Sequence, residues 1–387
     1  MKTLALSLTV VAGLLVLNAC QSSTPKAQPP AEQDPNLNAS MQNLKLQMDQ
    51  LLPTLLNARE FRAPENQASI AARLRTLERV SNNVTHSTAI KDENATLAFL
   101  SKGFHDDIRR SREAFEQGKK DYARTSLLNT GAYCIECHTR TNSGPSFQTN
   151  EFQQSLTLLQ PLDRAEYLVA TRQFDAALKD LDQVLKGGIK EGVTVFDLEK
   201  AAHMALQITV RFQNDPAKGL AIIDDILQAP NVPFNMKTNA QLWKAGLQNW
   251  KKEKKREVRD PLKKSRELVD HALKKQKGRD DRASDVEMMR VQSLLYPVLN
   301  TEKKPARAGE ALYLMGQAYE SVRDLSLSSL HEEYYEACIR KVPHSEWSKR
   351  CFKKFEESTL IGYSGSGGTS IPADVQGKLK ELKDLAL

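Results

Sequence analysis

Apolar residues near the start of the chain recur with the spacing of an α-helix, and this pattern restricts the fold more than any other feature. One stretch has them alternately four and three positions apart, at Leu37, Met41, Leu44, Met48 and Leu51. This spacing places them along one side of a helix, as a single buried stripe. Pro53 predicts a bend or an early end of that helix. Because Ala, Leu, Lys, Glu and Gln are abundant and no convincing strand alternation is found, we expect an all-α fold.

The same periodicity predicts three further helices before residue 145. The second follows Pro64 and ends just before His86, the third covers about residues 91–115, and the fourth begins near Asp121. Their apolar positions are Ile70, Leu74, Leu77 and Val80, then Leu97, Leu100, Phe104 and Ile108, then Tyr122, Leu127, Leu128 and Tyr133. Four helices joined by short connections make an up-and-down bundle, which we expect over residues 36–145.

The fourth helix ends in the run Cys134, Ile, Glu, Cys137, His138. Its cysteines lie about one helical turn apart on one face, so both thiols can add to the vinyl groups of one porphyrin. His138 then supplies the proximal nitrogen to iron, and this spacing is the attachment signature of c-type haem. A redox dithiol or half of a zinc site are the alternatives, but no second cysteine or histidine pair follows to complete four zinc ligands. We therefore predict one covalently attached haem c.

A haem motif close to the end of the last helix of a four-helix bundle resembles the cytochrome c-prime family. The resemblance covers about residues 36–145, and its most specific element is the position of Cys134, Cys137 and His138. It implies that the start of the first helix lies next to the haem, which makes Met41 the first candidate for the distal iron ligand. A first-helix methionine ligates iron in the related soluble b-type four-helix cytochromes. In many c-prime proteins an apolar residue stands there instead, and iron remains five-coordinate.

Other residues compete for contact with the haem. His86 follows the second helix and so falls at the same end of the bundle, which makes it the alternative distal ligand; a solvated loop histidine is its ordinary interpretation. His105 lies about 20 Å along the third helix and is expected to be too far away. Arg140, two residues after His138, is a candidate partner for a haem propionate. Met41 itself could be a plain core methionine.

The N-terminal residues have the features of an export signal. Residues 4–17 are apolar but too short to span a bilayer, which is typical of a signal peptide. They lead into Leu, Asn, Ala and Cys20, which resembles the lipobox of bacterial lipoproteins and implies removal of residues 1–19 and lipidation of Cys20. Residues 20–35, rich in Pro, Gln and Ser, are then a flexible tether. With Gln21 after the cysteine, the resemblance implies the outer membrane, facing the periplasm; an ordinary signal peptide with an incidental cysteine is the alternative.

Residues 155–387 carry helical pairs. Residues 165–185 resemble a tetratricopeptide repeat, and residues 311–319 with 335–343 give a looser match. An α-solenoid of helical hairpins is the expected fold. Because such solenoids present concave surfaces to proteins or peptides, we expect a scaffold that docks a partner. A helical domain that only packs against the bundle is the alternative.

Two further features concern partners and covalent links. Cys338 and Cys351 lie on successive predicted helices, and in an oxidising compartment they could form a disulfide. The formal net charge of +7 fits an acidic protein or an anionic lipid surface better than it identifies either, and we expect no nucleic-acid partner.

These observations predict a function without catalysis. No Ser, His, Asp order, paired catalytic carboxylates or dinucleotide fingerprint stands out, so we do not expect an enzyme. The leading hypothesis is a lipid-anchored periplasmic monohaem cytochrome that transfers one electron to a redox partner protein docked on the repeats. Two hypotheses stay open beside it: a binder or sensor of a diatomic gas, which requires an open or displaceable sixth iron position, and a mainly structural assembly lipoprotein.

Overall fold

The apolar stripes of the first third of the chain form helices. The computed structural model describes residues 35–87, 90, 95–141, 154, 156–157, 159–253, 258–275, 282–322 and 330–387. Its first elements are α1 (Pro35–Leu56), α2 (Ala58–Arg62), a 3₁₀ turn (Pro64–Asn66), α3 (Gln67–His86), α4 (Ala95–Glu116) and α5 (Lys120–Thr141). Residues 1–34, with the predicted signal, Cys20 and the tether, lie outside the described ranges.

Four of these helices pack as a ring, in which α1 contacts α3, α3 contacts α4, α4 contacts α5, and α5 contacts α1. The predicted stripes form its interior, since one residue from each helix, Leu51, Leu74, Leu100 and Leu127, is at most 2% exposed. The prediction for Tyr122 is wrong, because its side chain is 58% exposed. Tyr122 precedes Leu127 by five positions, so it lies about 140° around α5 from that buried residue and points away from the interior.

The junction between α1 and α2 follows from its local sequence. The helix α1 passes through Pro53 and ends three residues later at Leu56. The side chain of Asn57 then accepts hydrogen bonds from the backbone N–H groups of Arg59 (3.0 Å) and Glu60 (3.2 Å), which caps the start of α2.

The described residues from 161 onward are again mostly helical. The elements are α6 (Pro161–Ala170), α7 (Phe174–Gly187), α8 (Val195–Gln207), a π turn (Ile208–Phe212), α9 (Pro216–Gln228), α10 (Phe234–Lys252), α11 (Pro261–Lys275), α12 (Asp285–Thr301), α13 (Pro305–Ser321), α14 (Leu330–Lys341), α15 (Glu346–Gly362), β1 (Ser364–Gly365), β2 (Gly368–Thr369) and α16 (Ala373–Ala386). Most consecutive helices contact each other. The all-α prediction is confirmed, because in the described ranges the only strands are β1 and β2, an antiparallel pair of two residues each.

A disulfide links two neighbouring helices near the end of the chain. Cys338 of α14 and Cys351 of α15 are joined in a disulfide with a Cα–Cα distance of 6.3 Å. The last helix, α16, packs against both of these helices.

Helices from the two halves of the chain also contact each other. Asp34–Leu387 forms one compact unit, in which α14 contacts α4, α12 contacts α5, and α6 contacts both α5 and α1. The ring helix α5 therefore contacts both α6 and α12 of the later part of the chain. None of the helices in the described ranges is both long and apolar enough to cross a membrane.

Candidate functional site

The cysteines and histidine of the motif share one side of α5. Cys134, Cys137 and His138 fall within about 100° of each other around the helix, and all three side chains are half-buried. Among the described cysteines, Cys134 and Cys137 are thiols outside any disulfide. Two thiols one turn apart can add to the two vinyl groups of one porphyrin, and the adjacent imidazole can bind its iron. The residues present therefore fit a haem c.

The environment of Cys134 bears on the alternatives to haem. Burial raises the pKa of the Cys134 thiol to about 11. Redox-active Cys-x-x-Cys pairs have a lowered thiol pKa, so this environment does not favour a redox dithiol. In the described ranges, no three side chains of His, Cys, Asp or Glu are grouped so as to hold a metal ion.

A side chain near the start of α5 ties this helix to the end of α1. The guanidinium of Arg124 donates from Nε to the carbonyl oxygen of Leu55 and from Nη2 to that of Leu56, both at 2.7 Å. The last carbonyls of a helix have no partner within the helix, so Arg124 satisfies groups that α1 leaves open. These bonds place the beginning of α5 beside the end of α1.

Apolar side chains continue the same contact toward the motif. A cavity of about 50 Å³ is lined from α1 by Met48 and Leu52 and from α5 by Leu127 and Gly131. From the bonds of Arg124 to this cavity, residue numbers rise along α5 and fall along α1. The two helices are therefore antiparallel.

Met41 and His138 both lie beyond this cavity, toward the start of α1 and the end of α5. Met41 lies seven residues before Met48, and His138 lies seven residues after Gly131, so each is displaced by about 10 Å in the same direction. Met41 also lies on the side of α1 that carries Met48 and Leu52, and its half-buried side chain packs against the core. The assignment of Met41 as the distal iron ligand stays a prediction.

His86 occupies a different side of the ring. It is the last residue of α3, not a loop residue as predicted, and its exposed ring has Nδ1 2.8 Å from the carbonyl oxygen of Asn82. With Asn36 and Asn43 of α1, among other residues, it lines a polar cavity of about 660 Å³ between α1 and α3. Those two asparagines lie about 140° and 200° around α1 from Met41, so this cavity and Met41 are on different sides of α1.

The remaining predicted residues are placed as follows. His105 has Nδ1 3.0 Å from the hydroxyl oxygen of Ser81, which ties α4 to α3. Arg140 belongs to the last turn of α5, but its side chain lies outside the described part of the chain.

The residue between the two cysteines that sequence reasoning treated as a spacer, Glu136, is fully buried. Its Oε1 accepts a hydrogen bond from the hydroxyl of Tyr334, and its Oε2 accepts from the hydroxyls of Tyr296, at 2.9 Å, and Tyr319. Its Oε2 also accepts from Nη2 of Arg211. We call these four partners and Glu136 the carboxylate cage. Its members come from α5, the π turn, α12, α13 and α14.

The cage is a buried ion pair whose other polar atoms are also satisfied. Nε of Arg211 donates to the hydroxyl of Tyr296 at 2.6 Å, and the rings of Tyr319 and Tyr334 stack with centroids 5.3 Å apart. Burial alone would lower the pKa of Arg211, but the facing oxygens of Tyr296, Tyr319 and Glu136 outweigh it, so the pKa is raised and the guanidinium stays charged. The charge of Glu136 thus has a matched partner, without which a buried charge is costly.

A second buried polar group lies on α5 one turn before Cys137. Burial, followed by the carboxylates of Glu333 and Asp107, raises the pKa of the Tyr133 hydroxyl. A Cβ atom at Gly103 of α4 would come within 2.7 Å of Oε1 of Glu333 and 2.9 Å of the Tyr133 hydroxyl. The absence of a side chain at Gly103 therefore lets α14 approach the ring closely.

The chain was also compared with known proteins. It matches no protein-family model, none of the curated proteins and no solved structure.

Proposed function

We propose that this protein is a lipid-anchored monohaem c-type cytochrome that transfers one electron in the periplasm. The observation that carries the proposal is the common face of Cys134, Cys137 and His138 at the end of the last helix of a four-helix ring. Bound haem supplies a redox-active iron that accepts and releases one electron. Cys134 and Cys137 hold the porphyrin on α5, and His138 orients it through the iron.

The helices around α5 have their own part in this function. Contacts of α5 with α1, α4, α6 and α12 keep the motif half-buried, which limits the access of water to the group it carries. The helices from α6 onward supply a tetratricopeptide-like scaffold for the redox partner protein. An acyl chain on Cys20, after removal of residues 1–19, holds the whole at the outer membrane.

Covalent attachment is tested on the full-length protein produced together with a c-type haem maturation system. After denaturation, haem is expected to stay on the wild-type chain and to be lost from Cys134→Ala and Cys137→Ala. The matched control is Cys338→Ser with Cys351→Ser, which removes two cysteines far along the chain and is expected to keep haem attached. A wild-type chain without covalent haem would refute the proposal.

Electron transfer and gas binding are separated by visible spectra of the same protein. A low-spin reduced spectrum, with a methionine-to-iron band in the oxidised form, supports electron transfer. A high-spin spectrum that shifts with carbon monoxide or nitric oxide would assign the protein to gas binding instead.

The anchor is tested separately. The Cys20→Ser variant is expected to lose incorporation of radiolabelled fatty acid and to leave the membrane fraction. Full retention of the label in this variant would contradict the lipoprotein proposal and leave the haem proposal intact.

A further inference from the structure

The carboxylate cage holds α5 at the turn that carries the haem motif. Glu136 is two residues from both Cys134 and His138, which places it about 160° around the helix from each of them. The cage and those two motif residues therefore occupy opposite sides of one turn. A rotation of α5 about its axis would move both together.

Each oxygen of the Glu136 carboxylate is held by a different set of donors. Oε1 is bonded by Tyr334 of α14, whereas Oε2 is bonded by Arg211 of the π turn, Tyr296 of α12 and Tyr319 of α13. Donors from four separate elements leave the carboxylate, and the helix turn that bears it, little freedom to rotate or slide.

From this arrangement we infer that Glu136 is a positioning residue, which fixes the rotation of α5 and with it the direction in which Cys134 and His138 point. The inference rests on the proposed haem function and deepens it. It also assigns a role to the later helices, since Arg211, Tyr296, Tyr319 and Tyr334 hold the motif through Glu136.

The chemistry of the cage supports a role in positioning more than in stability alone. Replacing a buried ion pair by apolar residues of similar volume is often neutral or stabilising, so a role in stability alone does not require an ion pair here. Hydrogen bonds to an ionised group are short and directional, which makes them suited to fixing one rotation of a helix.

Adjacent tyrosines of α14 provide a matched pair of variants. Tyr334 and Tyr335 are both fully buried, but the hydroxyl of Tyr335 donates to Oε2 of Glu320, at 2.7 Å, and not to Glu136. Each Tyr→Phe change removes one buried hydroxyl from the same helix. The variants therefore each lose one buried hydroxyl and differ in contact with the motif helix.

In the haem-loaded full-length protein, Tyr334→Phe is expected to shift the midpoint potential and the methionine-to-iron band, while Tyr335→Phe leaves both unchanged. Glu136→Gln keeps both cysteines and is expected to retain covalent haem with a larger shift than Tyr334→Phe. Equal spectra and potentials in wild type, Tyr334→Phe and Glu136→Gln would overturn the inference. An equal shift in both tyrosine variants would do the same, because the effect would then be one of general stability.

A second readout does not depend on haem. In the haem-free full-length chain, alkylation by iodoacetamide is followed at each cysteine by mass spectrometry. Tyr334→Phe and Glu136→Gln are expected to speed alkylation of Cys134 relative to wild type and to Tyr335→Phe, because a rotated α5 exposes that thiol. If wild type proves to carry no covalent haem, the proposed function fails on that result. The alkylation rates of Cys134 then test the positioning inference by themselves, and equal rates in wild type, Tyr334→Phe and Glu136→Gln overturn it.

Discussion

Arg211 and Glu136 form an ion pair whose side chains are 7% and 0% exposed, although 75 residues separate them along the chain. Both charges are buried, so each depends on the other and on the three surrounding tyrosine hydroxyls. This pair links the helix that carries the motif to the π turn after α8.

Replacing Arg211 by Leu is expected to lower the free energy of unfolding by about 3–5 kcal/mol, because the carboxylate of Glu136 would remain buried without its counter-charge. Urea unfolding of the full-length protein, followed by circular dichroism, measures this loss. The control is Lys102→Ala, which breaks an ion pair with Asp106 whose side chains are 60% and 25% exposed. An exposed pair of this kind contributes less than about 1 kcal/mol, so equal losses in the two variants would contradict the prediction.

The features predicted correctly from sequence are those determined by neighbouring residues. The stripe that includes Leu44 and Leu51 follows from the helical period, and it is buried as expected. The end of the second helix was misplaced by a residue, since α3 includes His86. Tyr122 was assigned to a stripe that its position on the helix does not reach.

The carboxylate cage could not be predicted in the same way. Glu136 occupies a spacer position, and its tyrosine partners follow 160 to 198 residues later, so nothing local indicates the contact. Only the packing of α5 against the later helices brings them together. One signal was available, because Glu136 follows Tyr133 by three residues and so continues the predicted stripe of α5.

Gly316 of α13 allows the ring of Tyr335 to lie against its helix. A Cβ atom at position 316 would overlap Cε1 of that ring and come within 2.6 Å of its Cδ1. Gly316→Ala is therefore expected to destabilise the protein by about 1–3 kcal/mol, even though alanine is the better helix former. Urea unfolding measures the change.

Gly377 provides a control of opposite sign. It is exposed within α16, and a Cβ atom there would meet no described atom within 4 Å. Gly377→Ala is expected to stabilise the protein by about 0.5–1 kcal/mol through its effect on backbone entropy. If both variants stabilised the protein, the close approach at Gly316 would be contradicted.

Glu333 predicts a dependence of stability on pH. Burial, followed by the nearby carboxylate of Glu336, raises the pKa of Glu333 to about 8. Between the ordinary carboxyl pKa of about 4.3 and this value, the folded protein keeps a proton that the unfolded chain has lost. The free energy of unfolding should therefore fall as pH rises through this window, by at most about 1.4 kcal/mol per pH unit from this group.

Glu333→Gln should remove this contribution, so the variant loses less stability than wild type between about pH 5 and about pH 8. Urea unfolding at several pH values measures both slopes. The control is Glu346→Gln, which changes a side chain that is 69% exposed and is expected to retain the wild-type slope. A slope in Glu333→Gln as steep as that of wild type would show that other groups cause the dependence.

The proposed function predicts that the sulfur of Met41 is the distal ligand of the haem iron. Met41→Ala is expected to convert a low-spin, six-coordinate haem spectrum into a high-spin one, because the distal ligand is removed. Met48→Ala is the matched control, since it lies on the same side of α1 two turns away and lines the cavity shared with α5. The Met48→Ala variant should lose packing against α5 and keep the low-spin spectrum. His86→Ala should keep it too, because His86 lies at the cavity on the other side of α1. An unchanged spectrum in Met41→Ala with a high-spin spectrum in His86→Ala would reverse the assignment, and would require that the haem lie on the side of α1 that faces α3.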